Sequence, residues 1–330
     1  MKFSLVICTY MRPIALLKLL ETVVIQTLYP DEILIIDGSV NNETKIILEQ
    51  NYFKNLKYYL VSDKERGLTK QRNFGIEKVD KNLEIVCFLD DDTQLEFNYF
   101  KILIQTYIDY PKALAVGGYI SNDIEWSQKE EINDNLFYFD GWVRKESTRF
   151  ILRKKLHLLD NTPPGWMPTF SNGRSVSFLP PSNKVYSVEQ IMGGVSSYRI
   201  IIFKEISFSK YFEGYGLYED ADFSLRLAKK GNLYINTAAR LAHHHDASGR
   251  PNQFNYGKMV TRNGWYVWRV KYSNPTIISR VKWNAIAIVL MLVRFINVFT
   301  TKKRKESLTE ALGRFYGLIS LIVNRPKIER

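Results

Sequence analysis

The stretch VCFLDDDTQ, Val86 to Gln94, runs from an apolar segment straight into three carboxylates. A short apolar run closed by a polar cluster reads as a buried strand of a parallel sheet. At its end Asp90, Asp91 and Asp92 repel one another, and unpaired they would be costly beside a buried strand. On an extended chain Asp90 and Asp92 point to one side and Asp91 to the other. Two carboxylates so spaced suit one hard divalent cation. Mg²⁺ or Mn²⁺ takes one or two protein carboxylates and completes its shell with water and phosphate oxygens. Taken alone, the triplet reads equally as an acidic turn after a strand.

Outward from this stretch, strand and helix signals alternate. FSLVIC is a first strand; its apolar core, Phe3 to Cys8, is shorter than the roughly 7–15 apolar residues of a signal peptide. Ile14–Gln26 has helical spacing after Pro13, which suits a helix start. DEILIIDGS, LKYYLVSD and LEIVCFLDDD read as further strands, separated by the helices NETKIILEQNYF and GLTKQRNFGIEKV. Alternation of this kind predicts an α/β fold with a doubly wound, mainly parallel sheet flanked by helices. Ligands then bind beyond the carboxyl ends of the strands, where Thr9–Arg12, Asp37–Ser39, Asp63–Gly67 and Asp90–Asp92 all fall. Residues 121–190 are irregular and aromatic-rich. QIMGGVSSYRIIIF is an apolar run led by a glycine pair. Tyr218–Gly231 reads as a helix with acids in its first turn and Gly231 at its end. A last strand ends in the histidine cluster of LAHHHDAS.

The chain has 330 residues, a net charge of +12, 45% hydrophobic and 24% charged residues. That is an ordinary globular balance with a basic surplus, which suits phosphate-bearing ligands or anionic lipid. The two cysteines, Cys8 and Cys87, sit in strand-like runs and read as free thiols of a reducing compartment. Neither a helix-turn-helix nor an RNA-binding signature occurs, so nucleic acid is not an expected partner; no GxxxxGK[ST] loop points to an NTPase. Near the end, the uncharged run WNAIAIVLMLV lies between Lys282 and Arg294 and is too short for the roughly 20 residues of a membrane span. With KKRK following, and Arg280, Asn284, Arg294, Asn297 and Thr301 on one narrow sector, it reads as a helix lying in a membrane interface. Packing of the two tail helices on protein, or on a second copy, is the plainer alternative.

Taken together, VICTYMRP (6–13), LIIDGS (34–39), GLTKQRNFG (67–75), FLDDDT (88–93), YEDADFSLRL (218–227) and LAHHHDAS (241–248) resemble the family 2 glycosyltransferases, which have the GT-A fold. The resemblance covers about residues 1–250. It implies a GT-A domain over 1–270, with a nucleotide-sugar half (1–120) and an acceptor half (121–270), followed by an amphipathic helical tail at 271–330. It further implies that Thr9, Tyr10 and Arg12 line the nucleotide pocket and that Asp37 accepts from a base N–H. Lys64, Lys70 and Arg72 would supply cations near the phosphates, and Asn73 an amide. Asp92 would be the metal ligand, Asp91 a ribose or outer-shell contact and Asp90 a helper. Asp220 would be the base that takes the acceptor proton, assisted by Glu219. His243, and in second place His245, would join the metal. By the plainer reading, the helix-opening acids merely complement the dipole, and Asp37 merely starts a turn.

The sequence departs from the family pattern at Gly38, where a second acid is usual, and at Lys70 and Gln71, where small residues are usual. Tyr198 and Arg199 follow the glycine pair on the acceptor side. The expected activity is an inverting, metal-dependent sugar transfer to a glycan or lipid-linked hydroxyl acceptor, by a protein peripheral on the cytoplasmic face of the cell membrane. A metal-dependent nucleotidyltransferase or phosphodiesterase would also use clustered carboxylates, with EDAD (219–222) joining a metal pair. A non-catalytic basic protein of the membrane surface is the third reading.

Overall fold

The computed structural model describes residues 1–128, 133–244 and 251–329. Along the chain it forms β1 (Phe3–Thr9), α1 (Pro13–Val24), β2 (Glu32–Asp37), α2 (Glu43–Glu49), β3 (Leu56–Leu60), α3 (Leu68–Lys78), β4 (Ile85–Asp90), β5 (Thr93–Leu95), α4 (Tyr99–Asp109) and β6 (Ala113–Ile120). There follow β7 (Leu136–Phe139), β8 (Trp142–Lys145), α5 (Thr148–Lys155), β9 (Val185–Val188), β10 (Val195–Arg199), α6 (Glu219–Ala228), β11 (Asn232–His243), α7 (Gln253–Lys271), α8 (Ile277–Thr300) and α9 (Arg304–Val323).

These elements pack as two compact units. One comprises Met1–Glu125 and Leu179–Gly249; the other comprises Trp126–Phe178 and Arg250–Arg330. These boundaries differ from 120 and 270, because residues 126–178 pack with the C-terminal helices.

In the first unit the strands run β3-β2-β1-β4-β10-β6-β11-β5, with β9 on β11. The first four are parallel throughout. β1, β2 and β4 are mainly aliphatic runs buried on both faces, as helices on both sides of a parallel sheet require, while β3 is a half-exposed edge strand. α1 opens on Pro13 and buries Leu16, Leu19, Leu20 and Val23, a stripe at helical spacing against the sheet. β10 inserts antiparallel between β4 and β6. The expected α/β fold with its parallel half is therefore present.

In the second unit β7 and β8 form an antiparallel hairpin. α7 and α9 touch backbone to backbone: a Cβ on Gly257 would meet the Glu310 carbonyl, and one on Gly313 the Phe254 carbonyl. Trp283 of α8 stacks on Trp268 of α7, ring centroids 5.7 Å apart. Arg294 of α8 pairs with the buried Glu310 of α9 at 2.8 Å. The tail corrects one expectation. The uncharged run is embedded in α8, 24 residues that are long and apolar enough to cross a membrane by length and composition. Counting only the segment between charges misses this, because the helix continues through Lys282 and Arg294. Within α8, Ser279, Trp283 and Ile286 are buried, while Ile277, Ile278, Val281, Leu292, Ile296 and Phe299 are exposed.

Candidate active site

The carboxyl end of β4 carries the acidic triplet, and each of its members meets a cation. Asp91, buried, accepts from Thr9 Oγ1 at 2.7 Å and from Arg12 at 3.1 Å. Asp92 faces His243 Nε2 at 2.8 Å and Arg12 at 3.6 Å. Asp90 lies 3.7 Å from Arg72. Burial pushes the Asp91 carboxyl up to about 6, against the pull of Thr9 and Arg12. Burial disfavours the His243 imidazolium, but Asp92 and the neighbouring Asp90 charge outweigh it, so this histidine is raised.

β4 ends at Asp90, and Asp91 and Asp92 form the turn before β5, so the turn rather than the expected strand alternation sets their directions; one Arg12 nitrogen meets both. β5 and β11 then bring the histidine to Asp90 and Asp92. Thr93 pairs in register with His243, and the His244 amide donates to the Asp92 carbonyl at 3.0 Å. Asn122 brackets the His243 backbone, accepting its N–H and donating to its carbonyl, both at 2.9 Å. One donor atom each from Asp90, Asp92 and His243 lies within 4.8 Å of the others. Two carboxylate oxygens and one imidazole nitrogen fit Mn²⁺ or Mg²⁺ that keeps open positions for phosphate oxygens. Asp90 thus stands in the donor group, where the sequence makes it only a helper. His245 lies outside the described residues.

On the other side of Asp90, the loop before β10 supplies a glycine pair that sequence reasoning notes without a role. A Cβ on Gly194 would coincide with the Asp90 carboxylate. One on Gly193 would sit 2.6 Å from Glu219 Oε1. The Asp90 amide donates to the Gly194 carbonyl at 3.1 Å, and the Gly193 amide donates to Asp220 Oδ2 at 3.2 Å. Two side-chain-free residues therefore let Asp90, Arg72, Glu219 and Asp220 converge on one backbone segment. The signal for them was present in IMGGVSS, between a loop and a strand.

α6 begins at Glu219, after Tyr218 in the left-handed region at φ 72°. Holding a tyrosine there costs of order 1 kcal/mol, a strain that clusters at functional sites. Glu219 is buried and hydrogen-bonded by Arg72, whose guanidinium also lies over the Phe88 and Phe208 rings at 5.7 and 5.3 Å. Burial is the larger influence on Glu219 and raises it; Arg72 opposes it. Burial likewise raises Asp220, against the Gly193 and Ala221 amides. Asp222 is tied to Arg226 at 2.7 Å and stands apart from the donor group.

The remaining sequence candidates sort as follows. Tyr10 is exposed beside Arg66, which lies 5.9 Å from its ring centroid. Asp37 is buried; one oxygen caps Ser39 N at 2.8 Å and the other accepts from Tyr58 at 2.9 Å. Lys64 is exposed in a turn. Lys70 pairs with Glu213 at 3.1 Å. Arg72, only 2% exposed, joins Glu219 and Asp90 rather than standing open. The Asn73 side chain is bonded both ways to the Phe208 backbone. The two departures at positions 38 and 71 belong together. Gln71 donates to the Thr9 and Ile36 carbonyls at 3.1 and 2.8 Å, and its Oε1 lies 3.0 Å from where a Cβ on residue 38 would be.

The parallel strands, the acidic strand end and the helix-opening acids agree with a comparison of the whole sequence. Residues 4–171 match the model of glycosyl transferase family 2. The chain belongs to that family. Over 145 residues it is 32% identical to the glucosyl-dolichyl phosphate glucuronosyltransferase of Haloferax volcanii, covering 42% of this chain and 44% of that one. Over 151 residues it is 27% identical to glycosyltransferase GlyA of Streptococcus pneumoniae serotype 4, covering 42% of this chain and 21% of that one. The match therefore spans less than half the length of either curated relative. Among solved structures it resembles S. aureus TarS 1–349 (TM-score 0.52, 15% identity, 96% of this chain and 80% of that one). It also resembles GalNAc-T7 with UDP, GalNAc and Mn²⁺ (TM-score 0.50, 17% identity, 79% and 48%). At these identities the family 2 chain shares the fold of those structures.

Proposed function

We propose that the protein moves a sugar from a nucleoside-diphosphate sugar to a hydroxyl acceptor with inversion at the anomeric carbon. The observation that carries this reading is the convergence of Asp90, Asp92 and His243 at one strand end, with Asp220 bonded to the adjoining Gly193. Asp90, Asp92 and His243 would hold Mn²⁺ or Mg²⁺. When bound, the ion supplies positive charge to the donor diphosphate and to the charge that develops on the departing nucleotide.

The protein residues do the rest. Asp220 takes the proton of the acceptor hydroxyl as its oxygen bonds to the anomeric carbon and the bond to the diphosphate oxygen breaks. Arg72 holds Glu219, which orients the acceptor beside Asp220. Thr9 and Arg12 keep Asp91 fixed behind the donor group. Tyr10 borders the nucleoside with Asp37 buried behind it, and Lys64 and Lys70, the latter on leaving Glu213, would supply charge near the phosphates. The acceptor is a glycan or a lipid-linked precursor at the cytoplasmic face of the membrane. In support, one relative is named for a dolichyl phosphate, and α8 leaves an apolar face exposed.

The test is thermal stabilisation by a panel of nucleoside diphosphates with and without Mn²⁺. One or two of them should stabilise the chain only with metal, by about 2.7 kcal/mol at a hundredfold excess over Kd. Asp92→Ala should abolish that response. Absence of stabilisation by every nucleotide would remove the proposal.

A further inference from the structure

The second unit contains a cavity of about 460 Å³ between α7, α8 and α9, outside the segment matched by the family. Its walls have two characters. Arg269, Arg280 and Arg325 line it together with Trp265, Trp268 and Trp283. Apart from Asn284, the remaining walls are apolar, among them Ile288, Met291, Phe315 and Ile319. No acidic residue is among the described residues that line it.

The three guanidiniums are anchored on carbonyls, and among the described residues no carboxylate pairs with them. Arg269 donates to the Tyr272 and Ser273 carbonyls, Arg280 to the Pro275 carbonyl at 3.1 Å and Arg325 to the Leu321 carbonyl at 2.8 Å. Each anchor leaves further N–H groups for a ligand, since a guanidinium carries five. Arg269 also lies over the Trp265 and Trp268 rings, at 5.3 and 5.8 Å from their centroids. Burial and the charges of Arg280 and Arg325 lower the Arg269 guanidinium, as expected where like charges gather. An anion relieves that repulsion. The apolar wall, continuous with exposed Phe315, Ile319 and Ile322, asks for a hydrocarbon chain on the same ligand.

We propose that this cavity binds a membrane lipid, its phosphate head group on Arg269, Arg280 and Arg325 and its chain along the trough between α8 and α9. The inference rests on the membrane-surface reading above and narrows it from a smeared apolar and basic tail to one built site.

The full chain is sedimented with phosphatidylcholine vesicles, with and without phosphatidic acid. Phosphatidic acid should raise partitioning. The triple variant Arg269→Gln/Arg280→Gln/Arg325→Gln should lose about a hundredfold of that gain, and the exposed Arg325→Gln alone about fivefold. The control Lys302→Gln/Lys303→Gln/Lys305→Gln should lose much less. Brominated phosphatidic acid should quench tryptophan emission, because three of the chain's six tryptophans line the cavity, and Arg325→Gln should weaken that quenching.

Equal losses for the arginine and lysine triples would overturn the proposal, leaving a general basic patch. So would stabilisation by inorganic phosphate equal to that by phosphatidic acid, which would assign a soluble anion. A folded arginine triple that binds as wild type, or a chain that buries the trough by dimerising in solution, would also overturn it. Partitioning onto neutral vesicles reports the broader membrane reading separately, so the two fail in different ways.

Discussion

A carboxylate acts as a base only when ionised, so if Asp220 is the base proposed above, its environment sets the pH at which transfer begins. Burial raises this group from the ordinary aspartate value. Raising its pKa means that it is protonated, and idle, over a wider acid range. The rate should therefore climb with pH through an acid limb whose midpoint lies above about 3.9, the usual aspartate value, and then level off. A pH profile of kcat/KM reads this directly, and a rate unchanged down to pH 4 would contradict it. Replacement by asparagine keeps the Gly193 bond possible but removes the proton acceptor. It should cost about 10²–10⁴ in rate while metal-dependent nucleotide binding survives. Which individual side chains do what was only partly written in the sequence. The acidic cluster at the strand end was legible, but its strand alternation was not borne out, because the strand stops at Asp90 and a turn orients Asp91 and Asp92. The partners of Arg72 and Asn73 were not legible: Glu219 and Phe208 lie 147 and 135 residues away, and no local pattern encodes such pairings.

At the level of elements, the glycine-pair loop ahead of β10 and the α7–α9 crossing make comparable demands on space. Gly194→Ala places a methyl group where the Asp90 carboxylate sits, so the carboxylate must leave. Metal-dependent nucleotide stabilisation should fall sharply while the unfolding free energy without ligand drops by no more than an overpacked site costs, about 1–3 kcal/mol. Gly313→Ala meets a backbone carbonyl of α7 instead. It should destabilise the second unit by a similar amount, measured by thermal unfolding, and leave nucleotide binding unchanged. β1, β2 and β4 were readable because each is a mainly aliphatic run ended by a polar turn, and β3 because its aromatic and aliphatic residues are followed by one. β10 gave the same apolar signal, but hydrophobicity carries no direction, so its antiparallel insertion was invisible. Residues 126–178 were unreadable for another reason. Their buried groups are satisfied by long-range pairs such as Arg174–Glu146 and Trp268–Thr169, not by a periodic face.

For the molecule as a whole, the exposed apolar face of the C-terminal helices should govern where the protein sits. Phe299, Ile322 and Val323 are 72%, 77% and 83% exposed, so charging them removes little internal packing. Phe299→Asp with Ile322→Asp should weaken partitioning onto neutral vesicles without lowering the melting temperature; unchanged partitioning would point to a protein partner for that face. The centre of the sheet is filled late: β10 lies between β4 and β6, and β6 has β10 and β11 as its neighbours. On the ribosome, β4 therefore emerges with one open edge and β6 with two. At about 5–20 residues per second these aliphatic edges wait several seconds for their partners. During that interval the nascent chain is a substrate for chaperones, and a ribosome stalled between residues 126 and 194 would release a fragment built to aggregate.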